Sequence, residues 1–514
     1  MDGMKTSYHR HRRHGAPRAS YHRHRRHGDH GEFAARQLKG RTAPLALADP
    51  ETVIAPFPGP TAQLRYTDSP DSVDRRHVPD SAEPTEKASR WTAIWHFVRT
   101  DPMLRNALFL IVNSGIQAGL GFAFWIITAR LFSTESVGLA SSLISASSLI
   151  MFLGLLGMNT TFVRFLPIVK HRNGLITAGA SLVIVGCGAL ALGCVVLLPL
   201  ISRPISFVTH SLPLALGFVL FTAGGGINLL TDSVFIAAGK SQYNILVDGV
   251  VGGGAKVILL FVLASAGAYG VFGAASGGLL AAGLASLFLM IKVLHWRPEF
   301  KNLGQILKPM LNFSGISYTG DVLAHVPILI VPLIVLDRIG ASSEAYYFVT
   351  YQLVTLLYQT VFSVEQSFLS GGASADGLDR AVMRRSIRIL IALCIPGFIF
   401  VVLFGHQLLA AFGQKYANNT GSALIVFSIA VFPIAAYLWF STVLRLISDK
   451  LQVLVWANAV TATIVIGLAW VWAPYGLGAV AAAWLLGITT GCVIVAVPAV
   501  KMLRQSSSIY PGPS

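Results

Sequence analysis

Charge is what this chain has least of. Only 12% of its 514 residues are charged, about half the share of an ordinary soluble domain. Hydrophobic residues make up 54%, and the mean hydropathy is +0.64. That balance points to an integral membrane protein. Cysteine is sparse too: Cys187, Cys194, Cys394 and Cys492 all fall inside apolar runs. None has metal-ligand spacing, so they read as small core residues, and no metal is expected. A secretory signal is missing, because about 100 polar residues precede the first apolar run. A nucleotide loop is missing as well. Gly239-Lys240-Ser241 imitates the end of one, but Val234 occupies the place of the required glycine and no strand precedes it. No cofactor, no direct ATP hydrolysis and no enzymatic activity are expected. Acidic residues number 23 against 39 basic ones. Much of the excess lies before residue 42 and the rest at the ends of apolar runs, so it does not imply a nucleic-acid partner.

What is present begins with a polar tail. Residues 1–88 are rich in Pro, Gly, Ser, Arg and His and read as disordered. They contain an exact tandem repeat, SYHRHRRHG, at Ser7–Gly15 and Ser20–Gly28. The clustered His9, His11, His14, His22, His24 and His27 suggest metal capture. The interleaved arginines favour a polybasic arm on anionic lipid headgroups instead. Over residues 89–103, Trp91, Ile94, Trp95 and Val98 recur at helical spacing beside Arg90 and Arg99, as in an interfacial amphipathic helix.

Twelve apolar segments follow, near 106–129, 137–163, 175–201, 212–238, 243–265, 269–291, 309–336, 345–370, 387–412, 421–444, 451–472 and 476–500. Each approaches the ~20 residues needed to span the hydrocarbon core. With the tail placed in the cytoplasm, the inside loops and C-terminal end hold sixteen Lys and Arg. The outside loops hold four, Arg130, Arg203, Arg338 and Lys415. This asymmetry supports twelve spans with both termini cytoplasmic. Weak self-similarity adds a second level. Tyr269-Gly270 opens the sixth segment as Tyr475-Gly476 opens the twelfth, at a lag of 206; Arg130 matches Arg338 at 208; Lys240 matches Lys450 at 210. A near-constant lag implies two parallel six-helix halves about an axis along the membrane normal. The expected fold is all-α integral membrane: an N-lobe over 104–296, a basic linker over 297–308, a C-lobe over 309–504 and a tail over 505–514. An inter-lobe cavity would open to each side in turn.

The hairpin ARLFSTESVGLASSL, followed by LGLLGMNTTFVRFLP, resembles the start of polysaccharide biosynthesis flippases. These belong to the multidrug/oligosaccharidyl-lipid/polysaccharide exporter superfamily. The matching positions are Ala129 to Phe132, Val137, Gly138, Leu156, Gly157, Asn159, Arg164 and Pro167; Tyr269 to Ala274 also look familial. Roughly residues 100–505 are covered. The resemblance implies a flippase of lipid-linked oligosaccharides on a polyprenyl diphosphate carrier in the cytoplasmic membrane. A polysaccharide polymerase and glycosyltransferases are then candidate partners.

Ionisable groups within spans are costly to insert, so each is a candidate site. Lys256, after Gly252-Gly253-Gly254 in the fifth segment, would attract a diphosphate if it faces the cavity; the alternative is an ion pair with Asp248 or Asp232. Arg164 and Asn159 are further candidate substrate contacts at the end of the second segment. Asp321 and His325 precede Pro327 and Pro332 in the seventh segment, the expected kinked gating helix. They are candidate ion-coupling groups, together with Glu365, Asp232 and Asp248. Two rival readings remain. An ion-coupled multidrug exporter would rely on the carboxylates, and a non-transporting scaffold of a glycan-synthesis complex would rely on the tail. A membrane glycosyltransferase is disfavoured by the short outside loops.

Overall fold

A computed structural model describes residues 102–169, 171–301, 303–371, 373–374, 377–378, 380–447 and 451–509. The His/Arg repeat and all but the end of the expected interfacial helix lie outside them.

The described residues form twelve long helical segments joined by short turns. Those of the first half are α1 (Pro102–Leu131), α2 (Thr134–Gly154) continued by α3 (Met158–Phe165), α4 (Arg172–Ile201), α5 (Leu212–Ala237), α6 (Gln242–Val262) and α7 (Gly267–Val293). The second half contains α8 (Leu303–Ile339), α9 (Ala341–Gly371), α10 (Arg380–Phe412), the short α11 (Gln414–Asn419), α12 (Ala423–Ile429) continued by α13 (Val431–Ile447), α14 (Leu451–Trp472) and α15 (Leu477–Ile509). The strands β1 (Ala373–Ser374) and β2 (Gly377–Leu378) form a two-residue antiparallel ladder, Ala373 opposite Leu378. Ten of the helical segments are long and apolar enough to cross a membrane by length and composition. Of the other two, α1 carries a shorter apolar stretch, Gly115–Leu131. The second, α9, is diluted by polar residues such as Gln352, Thr355, Gln359 and Glu365.

The local sequence explains several boundaries. Ser133 caps α2 by accepting from the Ser136 N–H at 3.2 Å, and Glu135 sits in the positive first turn. The second segment, expected to be unbroken, breaks after Gly154. Leu156 and Gly157 take φ of 48° and 73°, and the helix resumes at Met158; a left-handed pair cannot continue a right-handed helix. The fifth segment departs from α geometry one turn before its glycine triplet, with a π-helix over Ile245–Gly252. Conversely, α8 is one continuous helix through Pro327 and Pro332, and it starts at Leu303, inside the expected linker.

Each half packs as its own bundle. In the first, α5 lies against α4 and α7, and α6 against α7; in the second, α15 lies against α13 and α14. Small residues allow close approach. The Cys187 sulfur packs against Gly154 and Gly226, and its thiol donates to the Met151 carbonyl at 3.8 Å. The halves join where α2 packs on α8 and α9, and where α1 meets α10. Thr134 and Ser342, 208 residues apart, place their hydroxyls 3.3 Å from each other. That separation equals the sequence lag, so the two hairpin turns meet as equivalent positions about a pseudo-two-fold axis.

Candidate functional site

Four helices of the first half and two of the second enclose a cavity of ≈ 290 Å³. Phe124 and Trp125 come from α1, Ser145 and Ser148 from α2, Lys256 from α6 and Ser276 from α7; α8 gives Ile328 and Pro332, and α9 gives Tyr347, Tyr351 and Gln352. Among its lining residues Lys256 is the one charged side chain. No carboxylate among the described residues pairs with it. Its ammonium lies 5.4 Å from the Phe124 ring centroid instead. A cation–π contact contributes about 0.5–2 kcal/mol, less than the roughly 2.5–3.5 kcal/mol that a lysine costs at mid-span on insertion scales. The expected alternative, a pair with Asp248 or Asp232, is not formed.

Asp232 on α5 and Asp248 on the π-helical turn of α6 instead share one amide donor. The Asn228 amide donates to Asp248 at 3.0 Å and to Asp232 at 3.4 Å, and Gln117 of α1 donates to Asp248 at 3.3 Å. Asn113 completes the group at Asp248. The side-chain oxygens of Asn113, Asn228 and Asn244, and Oδ1 of Asp232, are buried without partners. Eight residues separate Asp248 from Lys256, about 12 Å along the helix. The acid pair is therefore a feature of the first bundle and stands outside the cavity lining.

The second bundle carries another polar group. Glu365 on α9 is 4% exposed. It accepts from Thr442 at 2.9 Å, from Arg445 at 3.3 Å and from Gln366 at 3.2 Å. Arg445 of α13 is its charged partner, and among the described residues neither Asp321 nor His325 bonds to it. Asp321 remains within electrostatic reach of both His325 and Arg445. The His325 ring stacks on Phe152 of α2, centroids 4.5 Å apart, and its Nδ1 lies 2.8 Å from the Asp321 carbonyl. Asn458 donates to the Gly320 carbonyl at 3.0 Å and accepts from Tyr437. The polar part of α8 is thus tied both to the first half and to its own bundle. Arg164 is exposed on α3 with its guanidinium over Phe165, and Asn159 accepts from Thr160. Neither lines the cavity.

At the hairpin end of the molecule the halves form a tight seam. Arg130 donates to the carbonyls of Ala411 (2.9 Å) and Ala410 (3.3 Å), capping the end of α10 across the interface. A Cβ on Gly138 would lie 1.8 Å from the Ala341 carbonyl oxygen. Glu344, fully buried, meets the Ser141 hydroxyl.

Sequence reasoning missed the amides Asn113, Gln117, Asn228 and Asn244, because insertion cost singles out ionisable groups within spans and passes over amides. Nor did it single out Arg445 or Glu344, which stand at the ends of apolar runs. The signal for Glu344 was available in its small and aromatic neighbours, Ala341, Ala345, Tyr346 and Tyr347.

No family model matches the sequence, and no curated protein does. Solved structures do match the fold. The lipid II flippase MurJ in an inward-closed conformation superposes with a TM-score of 0.62 at 15% identity, covering 76% of this chain and 87% of that one. An inward-facing multidrug resistance MATE family transporter of the MOP superfamily gives 0.55 at 16%, covering 76% and 94%. An outward-facing structure of such a transporter gives 0.54 at 15%, covering 80% and 98%. This chain shares the two-lobed helical fold of those proteins.

Proposed function

We propose that the protein is a flippase that moves a polyprenyl-diphosphate-linked oligosaccharide, or a related polysaccharide precursor, across the cytoplasmic membrane by alternating access. One observation carries the reading: among the residues lining a cavity enclosed by both halves Lys256 is the single charged side chain, and no described carboxylate pairs with it. A site for cationic drugs calls for negative potential where the cargo sits, and this wall offers the opposite sign. An ammonium with serine hydroxyls, Gln352 and aromatic rings around it suits a diphosphate flanked by sugars. The Asp232–Asp248 pair supports ion or proton coupling from within the first bundle. That pair is also what favours the second reading, an ion-coupled drug exporter.

The test is flipping of a fluorescent polyprenyl-diphosphate oligosaccharide by full-length protein in liposomes. Lys256→Ala should lower the rate at least about tenfold, equivalent to about 1.4 kcal/mol, and Lys256→Arg should restore part of it. Sodium- or proton-driven efflux of cationic dyes, with no flipping of any such lipid, would overturn the reading.

A further inference from the structure

Glu344 is the least compensated carboxyl group in the seam. It stands in the first turn of α9 and is fully buried. One of its oxygens meets the Ser141 hydroxyl of α2, and the other, Oε1, has no partner. Ser141 has a single proton to give. Its oxygen also lies 2.7 Å from the Val137 carbonyl and 3.2 Å from that of Gly138. One shared hydroxyl, donating to Glu344, is poor compensation for a buried carboxylate whose Oε1 is left without a partner.

The surroundings agree. From its own helix the group faces Tyr347, and from α11 it faces Tyr416. Both lie within electrostatic reach, and both hydroxyls are buried without partners. Among the described residues no cation answers it. Arg130 is committed to carbonyls at the end of α10, Arg338 of α8 lies over Trp470, and Lys415 of α11 is exposed. The nearby acids Glu135 of α2 and Asp337 of α8 are exposed as well. The positive end of α9 favours a carboxylate, but by less than burying an ion without a counter-charge costs. Desolvation wins, and the neutral acid is the form that fits.

We propose that Glu344 is a proton-carrying latch: it is neutral while the α2–α9 seam is closed, and it gives up its proton to solvent when the halves part there. The bond broken is the carboxyl O–H, the acceptor is water from the newly opened side, and reclosure takes a proton back from that side. The sign follows directly. The closed seam binds one more proton than the open one, so acid favours closure and alkali favours opening, by up to about tenfold in the closed-to-open ratio per pH unit. The functional consequence rests on the alternating-access reading, whereas the buried carboxyl itself does not.

The experiment places nitroxide labels at the exposed Ser133 and Ser342 of full-length protein in liposomes and follows their dipolar coupling from about pH 5 to about pH 9. The expected result is a short-distance population that yields to a longer one as pH rises, and a Glu344→Gln variant that stays short throughout. An opening that ignores pH in the wild type, or that has the same pH dependence in Glu344→Gln, overturns the latch. Because the readout is a distance, the latch can stand even if no flipping is found.

Discussion

Glu365 and Glu344 lie on one helix and are both buried, yet they differ in their partners. Glu365 has a threonine hydroxyl, a guanidinium and an amide; Glu344 has one shared hydroxyl. The first arrangement holds a carboxylate as structure. Glu365→Ala should therefore cost about 1–3 kcal/mol by leaving Thr442 and Arg445 without their acceptor. This would appear as a lowered thermal midpoint in detergent, and an unchanged midpoint would contradict the assignment. At this scale the sequence was legible wherever a charge interrupts an apolar run, which is why Lys256, Asp232, Asp248 and Glu365 stood out. It was illegible where a charge sits at a run's end. The same Arg or Glu can face water or fold inward there, and only the packing of a distant helix decides. Glu344 went inward and Arg445, itself exposed, reaches the buried Glu365, while Glu135 and Arg338 stayed out.

At the scale of elements, the helices were readable from apolar length, and their irregularities only in part. Glycine marked the break at Gly157, where a positive φ is required. The π-helical turn around Asp248 follows from contacts with α1, α5 and α7 that no local signal encodes. Proline did not end α8, which continues through two of them; neighbouring helices re-satisfy such positions in membranes. The eighth span is the polar one, and it supplies both a cavity wall and the seam. Gly138 is where α2 and α9 come closest, with backbone as the obstacle. Gly138→Val should keep the hairpin end from closing. A cysteine at Ser141, buried in the wild-type seam, should then react with an impermeant maleimide at least about tenfold faster, a ratio worth about 1.4 kcal/mol. Equal reactivity would show that the seam accommodates the added methyls.

For the whole molecule, the weak internal repeat proved the most informative reading, because its lag reappears as a contact between Thr134 and Ser342. Two bundles with separate interiors share a core cluster that crosses from Phe124 and Val137 to Ala345 and Tyr347. Other clusters belong to one bundle, such as Phe162 with Phe235 in the first and Phe368 with Trp439 in the second. With separate interiors, two bundles part at their seam at lower cost than either deforms within itself. If rocking carries cargo, joining the two hairpin turns must stop it. The most direct measurement is flipping by a Thr134→Cys/Ser342→Cys protein whose four native cysteines are replaced, assayed oxidised and then reduced. The account predicts transport lost on forming the cross-link and recovered on reduction, with single-cysteine controls unaffected. Undiminished flipping by the cross-linked protein would contradict movement of the two halves at this seam.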